Sequence, residues 1–138
     1  MNQTYVPGLI SVVIPTYQHA DRIAACIESA LAQKYDHHEI IVVDDGSTDD
    51  TQDVLRPYKN KVNSILQSNA GSNPARNRGL QEARGEFIIF VDADVIMKPD
   101  MLERMIKVLR EDSSVSYVYS AFTFGWKTFR GVPFSEKR

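Results

Sequence analysis

Cysteine is almost missing from these 138 residues, Cys26 being the only one. A single thiol excludes an internal disulfide and any zinc site built on paired cysteines. Long apolar runs are missing too. The longest strongly apolar stretch, Phe87 to Val91, is far short of a bilayer span. The first ten residues show neither a basic opening nor an apolar h-region, so no secretion signal is readable there. A cytoplasmic chain, or the cytosolic face of something larger, is expected. Nor does one sign of charge dominate: 16 Lys+Arg stand against 18 Asp+Glu, a formal net charge of -2. Binding to a phosphate backbone normally needs a basic surplus, so nucleic acid is not expected as a partner. Neither the P-loop pattern nor G-x-G-x-x-G occurs, which removes the main support for ATPase and dinucleotide readings.

What is present is the mix of a globular domain, 43% hydrophobic and 25% charged. Short apolar runs alternate with amphipathic stretches. Leu9 to Ile14 reads as a buried strand stopped at Pro15, and Asp21 as the cap of a helix over residues 22–33. Ile23, Cys26, Ile27, Ala30 and Leu31 share one face of that helix, so Cys26 is assigned to the core. Further strands are expected at Glu39 to Val43, Val62 to Gln67, Phe87 to Val91 and Val115 to Ser120, the fourth covered on both faces. Helices are expected over residues 50–58, over 74–84 with Gly85 as a stop, and over 99–110. This order implies an α/β fold, a Rossmann-like and mostly parallel sheet with flanking helices. From Tyr117 the chain turns aromatic, and Phe122, Phe124 and Trp126 alternate as in a strand with one buried face. Nothing downstream supplies that face with a partner. The expectation is a truncated fold whose copies associate through residues 115–134.

In a parallel sheet the carboxyl ends of the strands share one edge, where ligands bind. That edge should carry Pro15-Thr16-Tyr17, Asp44-Asp45, Asn69-Ala70-Gly71 and Asp92-Ala93-Asp94. Four crowded carboxylates repel, and a hard divalent cation among them is the economical remedy. Asp44 ends its strand and is expected to point into or across the crevice. Asp49, Asp50 and Asp53 are read as first-turn helix residues. In an extended segment Asp92 and Asp94 would face one side together. The loop from Asn69 feeds a helix N-terminus that can receive an anion, with at most one of Arg76 and Arg78 reaching it. Gly79 is read as a close-packing position, and His19, His37 and His38 as surface residues.

Ser11-Val-Val-Ile-Pro-Thr-Tyr17, Ile41-Val-Val-Asp-Asp-Gly-Ser-Thr-Asp49, Asn69-x-Gly71 with Ala75-Arg-Asn77, and Gly85-Glu86 leading to Phe90-Val-Asp-Ala-Asp94 together carry a likeness. Over about residues 9 to 110 the chain resembles a family-2 glycosyltransferase. The resemblance implies the A-type glycosyltransferase fold, a nucleotide-diphospho-sugar donor (a UDP-sugar favoured) and a Mn²⁺ or Mg²⁺ ion. It also implies inverting transfer to an acceptor hydroxyl, on an undefined polysaccharide or lipid-linked glycan. By the same resemblance Pro15, Thr16 and Tyr17 line the nucleoside pocket and Asp44 hydrogen-bonds the base. Arg76 touches base or phosphates, Asp92 lies near ribose and metal, and Asp94 binds the metal. Gln18 stands where the family more often has Asn, a departure given no weight. The family's catalytic carboxylate lies well beyond the metal motif. After Asp94 the chain offers only Asp100, Glu103, Glu111, Asp112 and Glu136, none in the expected context. The expectation is therefore a donor-binding domain over residues 1–120 and the incomplete start of an acceptor-side region over 121–138, lacking the general base and nearly inactive alone. A non-catalytic nucleotide-binding module is the alternative. A receiver-like phospho-acceptor would want its acid pair after the first strand, and a nucleotidyltransferase a Gly-rich basic loop there; Gln18-His19-Ala20-Asp21 is neither.

Overall fold

The computed structural model describes residues 4–120, with the backbone of 122–124 and 127–129. It divides into two units, residues 1–103 and 104–138. The first holds β1 (Val6–Thr16), α1 (Ile23–Leu31), β2 (His38–Asp44) and α2 (Thr51–Leu55), then a 3₁₀ turn at Arg56–Tyr58, β3 (Asn63–Leu66), α3 (Ser72–Glu82) and β4 (Gly85–Phe90). The four strands form one parallel sheet in the order β3-β2-β1-β4. This is the α/β, Rossmann-like architecture expected from the alternation of apolar runs and amphipathic stretches.

The centre of the sheet is dry because β1 and β2 are flanked on both sides. Val12, Val13, Ile14, Val42 and Val43 are fully buried. Successive strand residues face opposite sides. Val13, Ile41 and Val43 share one face, where they pack with Ala75 and Ala83 from α3 and its end. The approach is close because α3 turns small residues inward: a Cβ on Gly79 would lie 2.3 Å from Cγ1 of Val13. On α1 the apolar stripe behaves as its spacing predicts, with Ile23, Cys26, Ile27 and Ala30 buried.

Four local expectations need correction. Asp21 does not cap α1, whose N-cap residue is Arg22 without a side-chain cap bond. Gly85 does not stop α3; it opens β4, where a side chain would meet the backbone of Leu9 and Ser11 at 2.7 Å. That strand is not covered on both faces. Among the described residues it is an edge paired only with β1, and Phe90 is 45% exposed. No strand forms at residues 115–120, because β-prone residues become a strand only where a neighbour accepts their backbone groups.

The second unit takes in the remainder of α4 (Met101–Glu111) and a backbone hairpin of β5 (Phe122–Phe124) and β6 (Lys127–Phe129). After α4 the carboxylate of Asp112 accepts from the Ser114 N–H and hydroxyl, making a tight turn. Tyr117 and Tyr119 are exposed. The expected association surface at 115–134 runs mostly outside the residues whose side chains are described.

Candidate functional site

The carboxyl edge of the sheet carries a cleft of about 490 Å³. Of the residues singled out from sequence, Pro15, Thr16, Tyr17, Arg76, Asp92 and Asp94 line it. Asp44 does not. Asp45, Asn69, Ser72 and His19 do, although the sequence argument gave none of them a specific role and placed His19 on the surface.

Strand parity separates Asp44 from Asp45. Val43 faces α3, so Asp44 faces the other way and Asp45 returns to the α3 side. Asp44 is fully buried, its carboxylate accepting from the Ser47 N–H at 2.9 Å and from the Gln52 side chain of α2. It holds the loop after β2 together and does not point into the crevice, contrary to expectation. Asp45 accepts from Gln67 Nε2 at 2.7 Å, from the Ala70 N–H at 2.9 Å and from the Gly71 N–H at 2.8 Å. Burial by itself would raise its carboxyl, but these three donors outweigh burial and hold it below the usual aspartate range. Two of the bonds fall on Oδ1 and one on Oδ2, which leaves Oδ2 with room for one more donor.

The loop after β1 is locked to the loop after β2 by Gln18, whose departure from the family's Asn was given no weight. Gln18 sits at φ 57°, in the left-handed region. Its Oε1 accepts from the N–H groups of Thr48 (2.6 Å) and Asp49 (3.1 Å), and its Nε2 donates to Thr48 Oγ1 at 2.9 Å. Its own N–H donates to Ser47 Oγ at 2.9 Å. These bonds present Tyr17 and His19, on either side of Gln18, to the cleft. Tyr17 is 46% exposed there, an open aromatic face. Thr16 Oγ1 and His19 Nδ1 are buried without a hydrogen-bond partner, so both retain capacity for a polar ligand.

Asp92 and Asp94 do not lie in an extended segment. The Val95 N–H donates to the Asp92 carbonyl at 3.0 Å, closing a turn that buries Ala93 and turns both acids outward. Arg76, on the first turns of α3, donates to Asp92 Oδ1 at 2.8 Å. Arg22 Nη1 stands 3.9 Å from Asp94 Oδ2. Three of the four expected carboxylates are thus engaged by the protein itself, Asp44 and Asp45 by hydrogen bonds and Asp92 by Arg76, while Asp94 has only the more distant Arg22. Beneath the turn the Cys26 thiol is pushed up to about 12 by burial first, then by the charges of Asp94 and Asp92, and behaves as a core residue.

Among the described residues no three His, Cys, Asp or Glu side chains gather closely enough to cage a metal. Two exposed carboxylates on one turn suit an ion that brings other ligands with it. Mg²⁺ and Mn²⁺ bind through one or two carboxylates plus phosphate oxygens and water, and Asp92 and Asp94 fit that pattern.

Comparison with known proteins agrees with this geometry. A family model described as Glycosyl transferase family 2 matches residues 11–137. The uncharacterised glycosyltransferase YibD of Escherichia coli is 39% identical over 115 residues, covering 81% of this chain and 33% of that protein. S. aureus TarS 1–349 in complex with UDP-GlcNAc superposes with a TM-score of 0.67 at 33% identity, over 74% of this chain and 31% of that one. The mannosyltransferase PcManGT of Pyrobaculum calidifontis, in complex with GDP-Man and Mn²⁺, superposes with a TM-score of 0.65 at 30% identity, over 72% and 32%. The chain spans about a third of the length of the curated relatives it matches, 33% of YibD and 35% of the uncharacterised glycosyltransferase alr2836 of Nostoc sp., which is 38% identical over 114 residues. With a parallel sheet of the A-type glycosyltransferase kind, a cleft at its carboxyl edge and a family match over nearly its whole length, the chain belongs to glycosyl transferase family 2.

Proposed function

We propose that this chain is the donor-binding part of an enzyme that transfers a sugar from a nucleoside diphosphate to an acceptor hydroxyl with inversion. The observation that carries the reading is the set of groups gathered in one cleft: an acceptor carboxylate at Asp45, an arginine at Arg76 and two outward carboxylates on one turn, the first of them touching that arginine. Asp45 offers its remaining acceptor position to a ring N–H, as uracil N3 or guanine N1 would present. This moves the base contact from Asp44, where the resemblance had put it, to its neighbour. Tyr17 offers a stacking face for the base. Arg76 spends one N–H on Asp92 and has others in its fork for a phosphate oxygen. Asp94, with Asp92, would hold a Mn²⁺ or Mg²⁺ that arrives with the diphosphate.

When bound, that ion neutralises charge building on the departing diphosphate. The chain's own groups do the rest: the cleft seats the nucleoside, Arg76 orients the phosphates, and the locked loops keep Tyr17 in register. Among the described residues the acids lining the cleft are Asp45, Asp92 and Asp94, all given donor-binding roles in this reading, which leaves none of them over as a base toward an acceptor. Loss of a general base costs roughly 10²- to 10⁴-fold. We therefore expect these 138 residues to bind donor and to transfer sugar slowly or not at all.

Calorimetry with UDP and with GDP, each with and without MnCl₂, tests the reading. One diphosphate is expected to bind, more tightly with Mn²⁺, and Asp94→Ala is expected to abolish the Mn²⁺ increment. Failure of both diphosphates to bind at millimolar concentration would sink the proposal. UDP is favoured, since S. aureus TarS, 33% identical, is a UDP-GlcNAc complex.

A further inference from the structure

Helix α1 ends in a polar row that the donor site itself does not use. Cys26, Ser29 and Gln33 follow at spacings of three and four, the last just past the helix, and so lie along one side. All three are bonded to the segment that carries the two turn carboxylates. Cys26 Sγ lies 3.6 Å from the Asp92 carbonyl. Ser29 Oγ accepts from the Met97 N–H at 3.0 Å. Gln33 donates from Nε2 to the Lys98 carbonyl at 2.8 Å, and its Oε1 accepts from the Leu102 N–H, in the first turn of α4, at 3.1 Å. The Lys34 N–H adds a bond to the Pro99 carbonyl at 2.8 Å.

These contacts hold the far side of a stretch whose near side is held by the Val91 N–H bond to the Val13 carbonyl (2.9 Å), by Arg76 on Asp92 and by the burial of Val91, Ala93 and Met97. Residues 91–98 belong to no helix or strand, and only the Asp92–Val95 turn orders them from within. Gln33 is 6% exposed and uses three of its four hydrogen-bonding positions, the third being a donation to the Ser29 carbonyl at 3.1 Å. A rigid amide in a buried place is a good mooring, whereas a surface turn left to itself would wander by more than the ~1 Å that ligand positioning tolerates.

We infer that Ser29 and Gln33 are positioning residues for Asp92 and Asp94: they tie the loop after the turn to α1 and so set where the two carboxylates stand in the cleft. The inference rests on the donor-site reading above. It assigns to α1, a helix that contributes no cleft-lining side chain, control over the diphosphate end of the site and none over the nucleoside end.

The experiment compares uridine with UDP in MnCl₂ by calorimetry (guanosine with GDP if the chain proves to take guanine) on the whole chain. Ser29→Ala removes one acceptor. Gln33→Glu keeps the acceptor for Leu102 and removes both donors. Each is expected to leave uridine affinity unchanged and to weaken UDP about tenfold, the usual scale for groups that orient a metal ligand. In a background carrying both Asp92→Ala and Asp94→Ala the same changes are expected to have no further effect on the UDP-to-uridine ratio, because both groups they position are gone. Equal losses for uridine and UDP, no loss for either, or full additivity with that double change would each overturn the inference. A wild-type chain that binds neither ligand refutes the donor site itself. One that binds UDP no better than uridine refutes the part given to the carboxylates, and both results remove the inference with it. Should Gln33→Glu fail to fold, Ser29→Ala decides alone, with faster amide exchange at Met97 and unchanged protection across β1 and β2 as the accompanying sign.

Discussion

Two adjacent acids with opposite duties show how much is decided at a single residue. Asp44 and Asp45 are chemically identical, and nothing in their immediate neighbours tells which one lines the cleft. One residue of strand parity sends the first to Gln52 and Ser47 and the second to the mouth of α3. The expected outcome of Asp45→Asn is a loss of nucleotide affinity of tenfold or more, since a hydrogen bond to a charged group is worth about 1.5–3 kcal/mol. Asp44→Asn should instead lower stability by about 1–2 kcal/mol and leave the folded protein's affinity alone. Calorimetry beside denaturant unfolding separates the two. The reverse result would return the base contact to Asp44. Gln18 makes a similar point, because its departure from Asn looked idle until its amide was seen joining two loops.

Elements are held by features that only pairing explains. The face of α3 built from Ala75, Gly79 and Ala83 lets the helix sit close on β1. Replacing Gly79 by Ala would add a methyl 2.3 Å from Val13 Cγ1, in a core with no room and against a stiff β-branched neighbour. Overpacking costs about 1–3 kcal/mol and the helix regains up to about 1, so a net loss of about 1–2 kcal/mol is expected. An unchanged or raised denaturant midpoint would contradict this. At the other end of the sheet Glu39 ties three strands. It accepts from Ser11 Oγ at 2.7 Å and from the N–H and guanidinium of Arg84, while Ser11 Oγ accepts from the Gly85 N–H at 2.8 Å. Burial by itself would raise the Glu39 carboxyl, but the bonds from Ser11 and Arg84 together bring it below its ordinary value of 4.5. A lowered folded value means that its stabilisation is complete above about pH 4.5 and is lost as pH falls through the folded value. Glu39→Gln should therefore flatten the acid limb of a stability-against-pH curve while lowering the plateau. A parallel shift of the whole curve, with the limb kept, would count against it.

Across the molecule, apolar groups stand exposed in both units. Phe90 and Leu66 lie on the two edge strands, and Tyr117 and Tyr119 stand open in the second unit. Exposed strand edges and aromatic side chains invite association. We expect self-association that depends on residues 115–134, seen as a concentration-dependent rise in sedimentation coefficient and abolished by Tyr117→Lys with Tyr119→Lys. A monomer at high concentration in the unaltered chain would dispose of that expectation.

The order of apolar runs was enough to read an α/β sheet, because burial on both faces leaves an unmistakable mark on a strand such as Ile10–Ile14. It was enough, too, to place Thr16, Tyr17, Asp92 and Asp94 at one edge, since the carboxyl ends of parallel strands share that edge whatever the details; the choice of Arg76 over Arg78 came only from the family resemblance. It could not show which face of β2 met α3, that residues 115–120 would find no strand to pair with, or that Arg76 would neutralise Asp92. Those outcomes depend on contacts between segments far apart in the chain, and the energy of such a contact is written in neither partner alone.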